Sequence, residues 1–196
     1  MLPDIGAIVR SCAVLLPTTV LTNGMVFRGR GLRELESIPR DNVALQISLD
    51  SATPQLHDVH RGEGSWAKAV AGIRLALGMG FRVRVAATVD APAPGQLSAF
   101  HEFLNKLGIA PDDQIVRPIA HEGVAESGVV LTRASLVPEI TVTAEGVYWH
   151  PVAATDEDAL VTRRIEPLTL ALNEISRAFA DQWAHAASAA QLFPCA

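Results

Sequence analysis

The chain has 196 residues, 49% of them hydrophobic and only 5% aromatic. That is enough to bury a core of small aliphatic side chains, as one domain or one domain with an appendage. A formal charge of −5 with scattered arginines gives no basic face, which argues against nonspecific nucleic-acid or anionic-membrane binding. No apolar run is long enough to cross a bilayer and the opening segment lacks a basic signal-peptide region, so a cytoplasmic location is the default expectation.

In chain order, helix and strand alternate. "PDIGAIVRSCAVLL" places Ile5, Ile8, Val9 and Cys12 at helical spacing behind Pro3. "TTVLTNG" is a short β-branched strand ending in an Asn-Gly turn, and "GLRELESI" is a helix closed by Pro39. "VALQISLD" follows as a second strand from Val43 to Asp50. Its alternation puts Leu45, Ile47 and Leu49 on one face and Ala44, Gln46, Ser48 and Asp50 on the other. The polar run with His57 and His60 reads as a loop with solvated histidines. "SWAKAVAGIRLALGMG" is then a helix with Ser65 as its N-cap.

"RVRVAATV" (Arg82 to Val89) is a third strand, "GQLSAFHEFLNKLG" an amphipathic helix, and "DQIVRPIA" (Asp113 to Ala120) a fourth strand. This spacing of βαβ units predicts a parallel sheet, and periodicity leaves an open doubly wound sheet and a partial barrel both in play. After Ala120 the character changes. "EITVTAEGVYWHP" predicts a hairpin around Glu145-Gly146, "TDEDALVTRR" a connector, and the segment from Pro167 a helix with Leu168, Leu172, Ile175, Phe179 and Trp183 on one face. The expected division is therefore residues 1–120 and 121–196, with a fraying tail.

In parallel α/β folds ligands bind at the C-terminal strand ends. Thr22, Asn23, Ser48, Asp50, Thr88 and Asp90 fall there, with Arg117 inside the fourth strand. A polar side chain such as Ser48 pointing into a barrel needs a ligand or a neighbouring strand to satisfy it. Asn23 also has a bland reading as a turn residue. His57 and His60 match no zinc spacing, no G-x-S-x-G elbow supports a Ser48–His57–Asp50 hydrolase, and "RGRG" lacks the rest of a P-loop. Cys12 and Cys195, at opposite ends of the chain, read as unlinked thiols.

The order of motifs carries more than any one of them. "TVLTNG", then "SLD" and "HDVHRG", then an amphipathic helix and a "G-x-x-V-x-V" strand resemble the middle of a radical S-adenosylmethionine enzyme, from Leu2 to Ala120. The resemblance implies an α/β fold holding the third to sixth strands of an incomplete (β/α) partial TIM barrel, followed by a C-terminal hairpin and helix. It also implies that Ser48 and Arg61 contact the ribose and carboxylate of S-adenosylmethionine. Val85 and Ala87 would lie near the adenine, Asp50 and Asn23 would line the same cavity, and Arg117 would contact cofactor or substrate.

The family's chemistry needs a [4Fe–4S] cluster held by a Cys-x₃-Cys-x₂-Cys loop, and this chain has two cysteines and no such loop. The resemblance therefore implies the C-terminal part of a radical SAM enzyme, truncated before Met1 and inactive alone. In full length such an enzyme would have a reductant protein as partner and a small molecule or peptide as substrate. Two alternatives stand beside it: a noncatalytic module that has lost the cluster site, and an unrelated complete α/β enzyme, such as a hydrolase using Asp50 or His57.

Overall fold

A computed structural model describes residues 4–89, 94–120, 128–133 and 136–192, with side chains described through residue 180. The chain divides into two compact units, residues 1–116 and 117–196, where the sequence expectation drew the line at residue 120. A sheet in the order β1-β2-β3-β4 is built from β1 (Thr18–Thr22), β2 (Val43–Ser48), β3 (Arg82–Val89) and β4 (Gln114–Pro118). β1 pairs parallel with β2, and β2 with β3. The intervening helices are α1 (Ile5–Ala13), α2 (Arg30–Ser37), α3 (Pro54–Arg61), α4 (Ser65–Gly78) and α5 (Gln96–Leu107). Sequential parallel neighbours with a helix at each crossover make the α/β partial-barrel arrangement that the sequence pointed to.

The first unit has one core. Leu45, Ile47, Val83 and Val85 from the sheet meet Leu35, Ile73, Phe100 and Leu104 from the helices. Residues that are partners in a parallel pair share a face, so the pairs Leu45–Val83 and Ile47–Val85 place this row on the helix side. The approach of α4 to the end of β1 is close. A Cβ on Gly72 would stand 2.1 Å from the Gly24 carbonyl oxygen, and Gly24 itself has φ +69°. Both positions therefore require glycine.

Several local expectations change. In α1 the buried residues are Gly6 and Val9, whereas Ile8 and Cys12 are exposed, because the helix turns its small residues towards α2. The run around His57 is not a loop: Pro54 stands in the first turn of α3, and Gly62 with φ 92° ends it. The N-cap position of α4 is Gly64, not Ser65.

In the second unit, β5 (Thr141–Val142) and β6 (Val147–Tyr148) form the expected antiparallel hairpin. The segment read as a connector contributes a third strand, β7 (Leu160–Thr162), paired antiparallel with β6. Too short for periodicity to register, it is held by its neighbour. Trp149 centres this core with Leu131, Leu136 and Ile175, and its indole N–H donates to the Leu136 carbonyl at 3.0 Å. The last helix, α6 (Leu168–Leu192), buries Ala171 and Ile175 while Leu168 and Leu172 stay largely exposed. The expected face is inward at Ile175 and Phe179 but not at Leu168 and Leu172, and the Trp183 side chain lies outside the described residues. The helix continues through most of the expected frayed tail, and residues 193–196 lie outside the described residues.

Candidate binding site at the strand ends

The polar block after β2 is organised by four side chains. His57, buried on α3, accepts the Asp50 amide through Nδ1 at 3.1 Å, which fixes the neutral tautomer with its proton on Nε2. Burial pushes the His57 pKa below its ordinary value, Asp50 opposes that shift, and Arg61 reinforces it. The Asp50 carboxylate accepts Arg61 Nε, Arg61 Nη2 at 3.1 Å and the Thr88 amide at 3.0 Å. It therefore ties the ends of β2 and β3 to the last turn of α3.

Asp58 faces α4. It accepts the amides of Gly64 and Trp66, both at 2.8 Å, and the Ser65 hydroxyl at 2.9 Å. Amides left open at a helix N-terminus favour an anion there. The Trp66 amide foremost, with Gly64 and Ser65, holds the Asp58 carboxyl below its usual range. The Trp66 indole donates to the Ser51 carbonyl at 3.1 Å, locking α4 onto the β2–α3 turn. Much of the "SLD…HD..RG" signature is thus architecture: it shapes the strand end and starts two helices.

One guanidinium edge remains. Asp50 occupies the Nε/Nη2 edge of Arg61, and among the described residues its Nη1 makes no hydrogen bond. The side chain is 32% exposed, so that outer edge can donate to a carboxylate in a two-point contact. Ser48 ends β2 beside Ala86 of β3. It is half-buried, and among the described residues its hydroxyl has no hydrogen-bond partner.

The other expected contacts are distributed differently. Val85 and Ala87 are fully buried in the helix-side core, so their side chains do not share the Ser48 face; Ala86 occupies it. The Asn23 side-chain oxygen accepts the Met25 amide at 3.1 Å, which closes the turn after β1. Arg117 belongs to the second unit, where its charge helps lower the pKa of buried His150, after burial itself. Asp90 lies outside the described residues.

Gln46, on the Ser48 face in the sequence pattern but not among the expected site residues, is the partner of Arg84 across β2 and β3, one rung below Ser48. The alternation that selected Ser48 contains both. A cavity of about 90 Å³ lies nearby, lined by Asp50, Leu56, Val89, Leu97 and Phe100 among others.

The parallel, helix-backed sheet with polar groups at its strand ends is similar in fold to the partial barrel of radical S-adenosylmethionine enzymes. Over 79 residues the chain is 37% identical to the antilisterial bacteriocin subtilosin biosynthesis protein AlbA of Bacillus subtilis strain 168, a match spanning 40% of this chain and 17% of AlbA. SuiB of Streptococcus suis has a similar fold, with a TM-score of 0.50 and 15% identity over 67% of this chain and 30% of SuiB. SuiB bound to its precursor peptide SuiA aligns with 92% of this chain and 33% of that one, at a TM-score of 0.47 and 12% identity. No family model matches the chain.

The residues do not fit the family's iron–sulfur cluster. The sequence has two cysteines, one short of the thiolates required. Among the described residues no three His, Cys, Asp or Glu side chains converge, and Cys12 is a free, exposed thiol.

Proposed function

We propose that this chain supplies the S-adenosylmethionine-holding strand ends of a radical SAM-type enzyme acting on a peptide. The observation that carries the reading is the unsatisfied Ser48 hydroxyl at the C-terminal end of β2, two residues before Asp50, which holds the inner edge of Arg61 and leaves its outer edge unspent. Ser48 binds the ribose and the outer edge of Arg61 the carboxylate of the cofactor. Asp50 acts on the ligand indirectly, by holding the Arg61 plane still. The backbone of β3 at Ala86 flanks the adenine, and Val85 and Ala87 support it from the core side.

S-adenosylmethionine is the source of radical chemistry when it meets a reduced cluster, and that cluster's ligands do not occur in this chain. No step through a cluster is therefore assigned to it. A reductant protein and a cytoplasmic location belong to the same reading. The peptide substrate is supported by AlbA, whose name places it in bacteriocin biosynthesis.

The test is calorimetric titration of the chain with S-adenosylhomocysteine. Saturable binding that weakens about tenfold in Ser48→Ala, the scale of one lost hydrogen bond in a shielded site, supports the reading. Equal affinity in the variant refutes it.

A further inference from the structure

The row beneath Ser48 contains an imbalance that the cofactor reading does not absorb. Gln46 and Arg84 are register partners on adjacent parallel strands, so their side chains leave the sheet on the same face, about 5 Å apart at the backbone. Gln46 is 7% exposed, and among the described residues its amide makes no hydrogen bond. The Arg84 side chain is 13% exposed, and its buried Nε has no hydrogen-bond partner.

Arg84 does have an ion-pair neighbour, Asp113, whose Oδ1 lies 3.6 Å from Nε. That carboxylate is already committed. Arg82 Nε donates to its two oxygens at 3.0 and 3.1 Å, and Arg82 Nη2 donates to Oδ1 at 2.7 Å. Two guanidinium groups thus converge on the Asp113 carboxylate, with Asp112 also acting on Arg82 from farther off, and the more buried of the two has the poorer geometry. The buried, unpartnered Arg84 Nε is costly to leave unsatisfied. A carboxylate fits the pair: one oxygen accepts from the guanidinium, the other from the amide N–H₂.

We propose that Gln46 and Arg84 form a carboxylate-binding subsite that receives an acidic side chain of the substrate. The assignment to substrate rests on the reading of Ser48 as the cofactor's contact. The subsite lies two residues, about 7 Å, down the strands from Ser48, so a group held there approaches the cofactor from below. The subsite selects an acidic residue near the reacting position over its neutral amide counterpart, because the amide cannot neutralise Arg84.

The experiment is a titration of the chain with N-acetyl-glutamate N-methylamide, followed by the ¹⁵N–¹H resonance of Arg84 Nε. A saturable shift is expected, with none from the glutamine analogue. Arg84→Gln should weaken binding of the glutamate probe about tenfold or more, the scale of a lost charged hydrogen bond, while the amide spectrum reports an intact fold. If Arg84→Gln unfolds the chain, Gln46→Leu serves instead, with the same expected weakening.

An equal response to both probes, or undiminished affinity in a folded variant, overturns the proposal. S-adenosylhomocysteine, which carries its own carboxylate, distinguishes the sources. Its affinity should stay within about twofold in Arg84→Gln; a loss as large as that of the glutamate probe assigns the subsite to the cofactor and overturns the substrate assignment. If S-adenosylhomocysteine fails to bind the wild-type chain while the glutamate probe still shifts Arg84, the cofactor reading falls and the carboxylate subsite stands.

Discussion

Replacing Asp50 by alanine tests the clamp that holds the strand ends. The Asp50 side chain is 8% exposed and Arg61 32% exposed, and the carboxylate accepts from two guanidinium nitrogens and the Thr88 amide. Removing one partner of a fully buried pair costs about 3–5 kcal/mol. Water can reach Arg61, so Asp50→Ala should cost about 2–3 kcal/mol, most of it from the stranded Thr88 amide and the inner guanidinium edge. Arg61→Met should cost about 1–2 kcal/mol, since Asp50 keeps the Thr88 amide. In the double variant the cost should fall short of the sum by about 1–2 kcal/mol, because the second change removes a bond already lost. Urea denaturation of the four proteins measures the cycle. Strict additivity would show that the contact contributes nothing and that Arg61 is not fixed by Asp50.

Two further perturbations follow from the geometry. His57 has a folded pKa below its ordinary 6.5, so the unfolded chain binds its proton first as pH falls. The resulting stability is present above about pH 6.5 and is lost on acidification from there down to the folded value. Denaturation at stepped pH should show that loss reduced in His57→Gln, with His150 supplying a residual dependence of the same sign, its pKa being lowered by burial too. An identical pH profile in the variant would contradict a neutral buried His57. Gly72→Ala sets a Cβ 2.1 Å from the Gly24 carbonyl, and the shift this forces on α4 should cost about 1–3 kcal/mol; unchanged thermal stability would mean that helix and turn separate freely.

The layout of the first unit was legible because its signals are periodic. Alternation along "VALQISLD" and the helical spacing of Phe100 and Leu104 depend on burial, and burial decided the outcome at those positions. The signature block was legible as a signature but not as geometry. Sequence reading saw His57 as solvated because a short polar helix has no apolar stripe, whereas the fold uses the ring to accept the Asp50 amide. Ser65 looked like a cap because it opens the apolar run; the helix is capped by Asp58, which lies outside α4 and reaches it only through the fold. The resemblance points to Val85 and Ala87, whereas plain alternation points to Ala86 and, below it, Arg84. β7 could not be read at all, since three residues of strand are fixed by β6 and not by their own pattern.

The most direct measurement is the hydrogen-exchange footprint of S-adenosylmethionine on the intact chain. The account predicts slowed exchange in the amides from Ser48 to Ser51 and around Ala86 to Thr88, with the three-stranded sheet of the second unit unchanged. Absence of any footprint at saturating cofactor, or protection confined to the second unit, would contradict the assignment of these strand ends as a cofactor site.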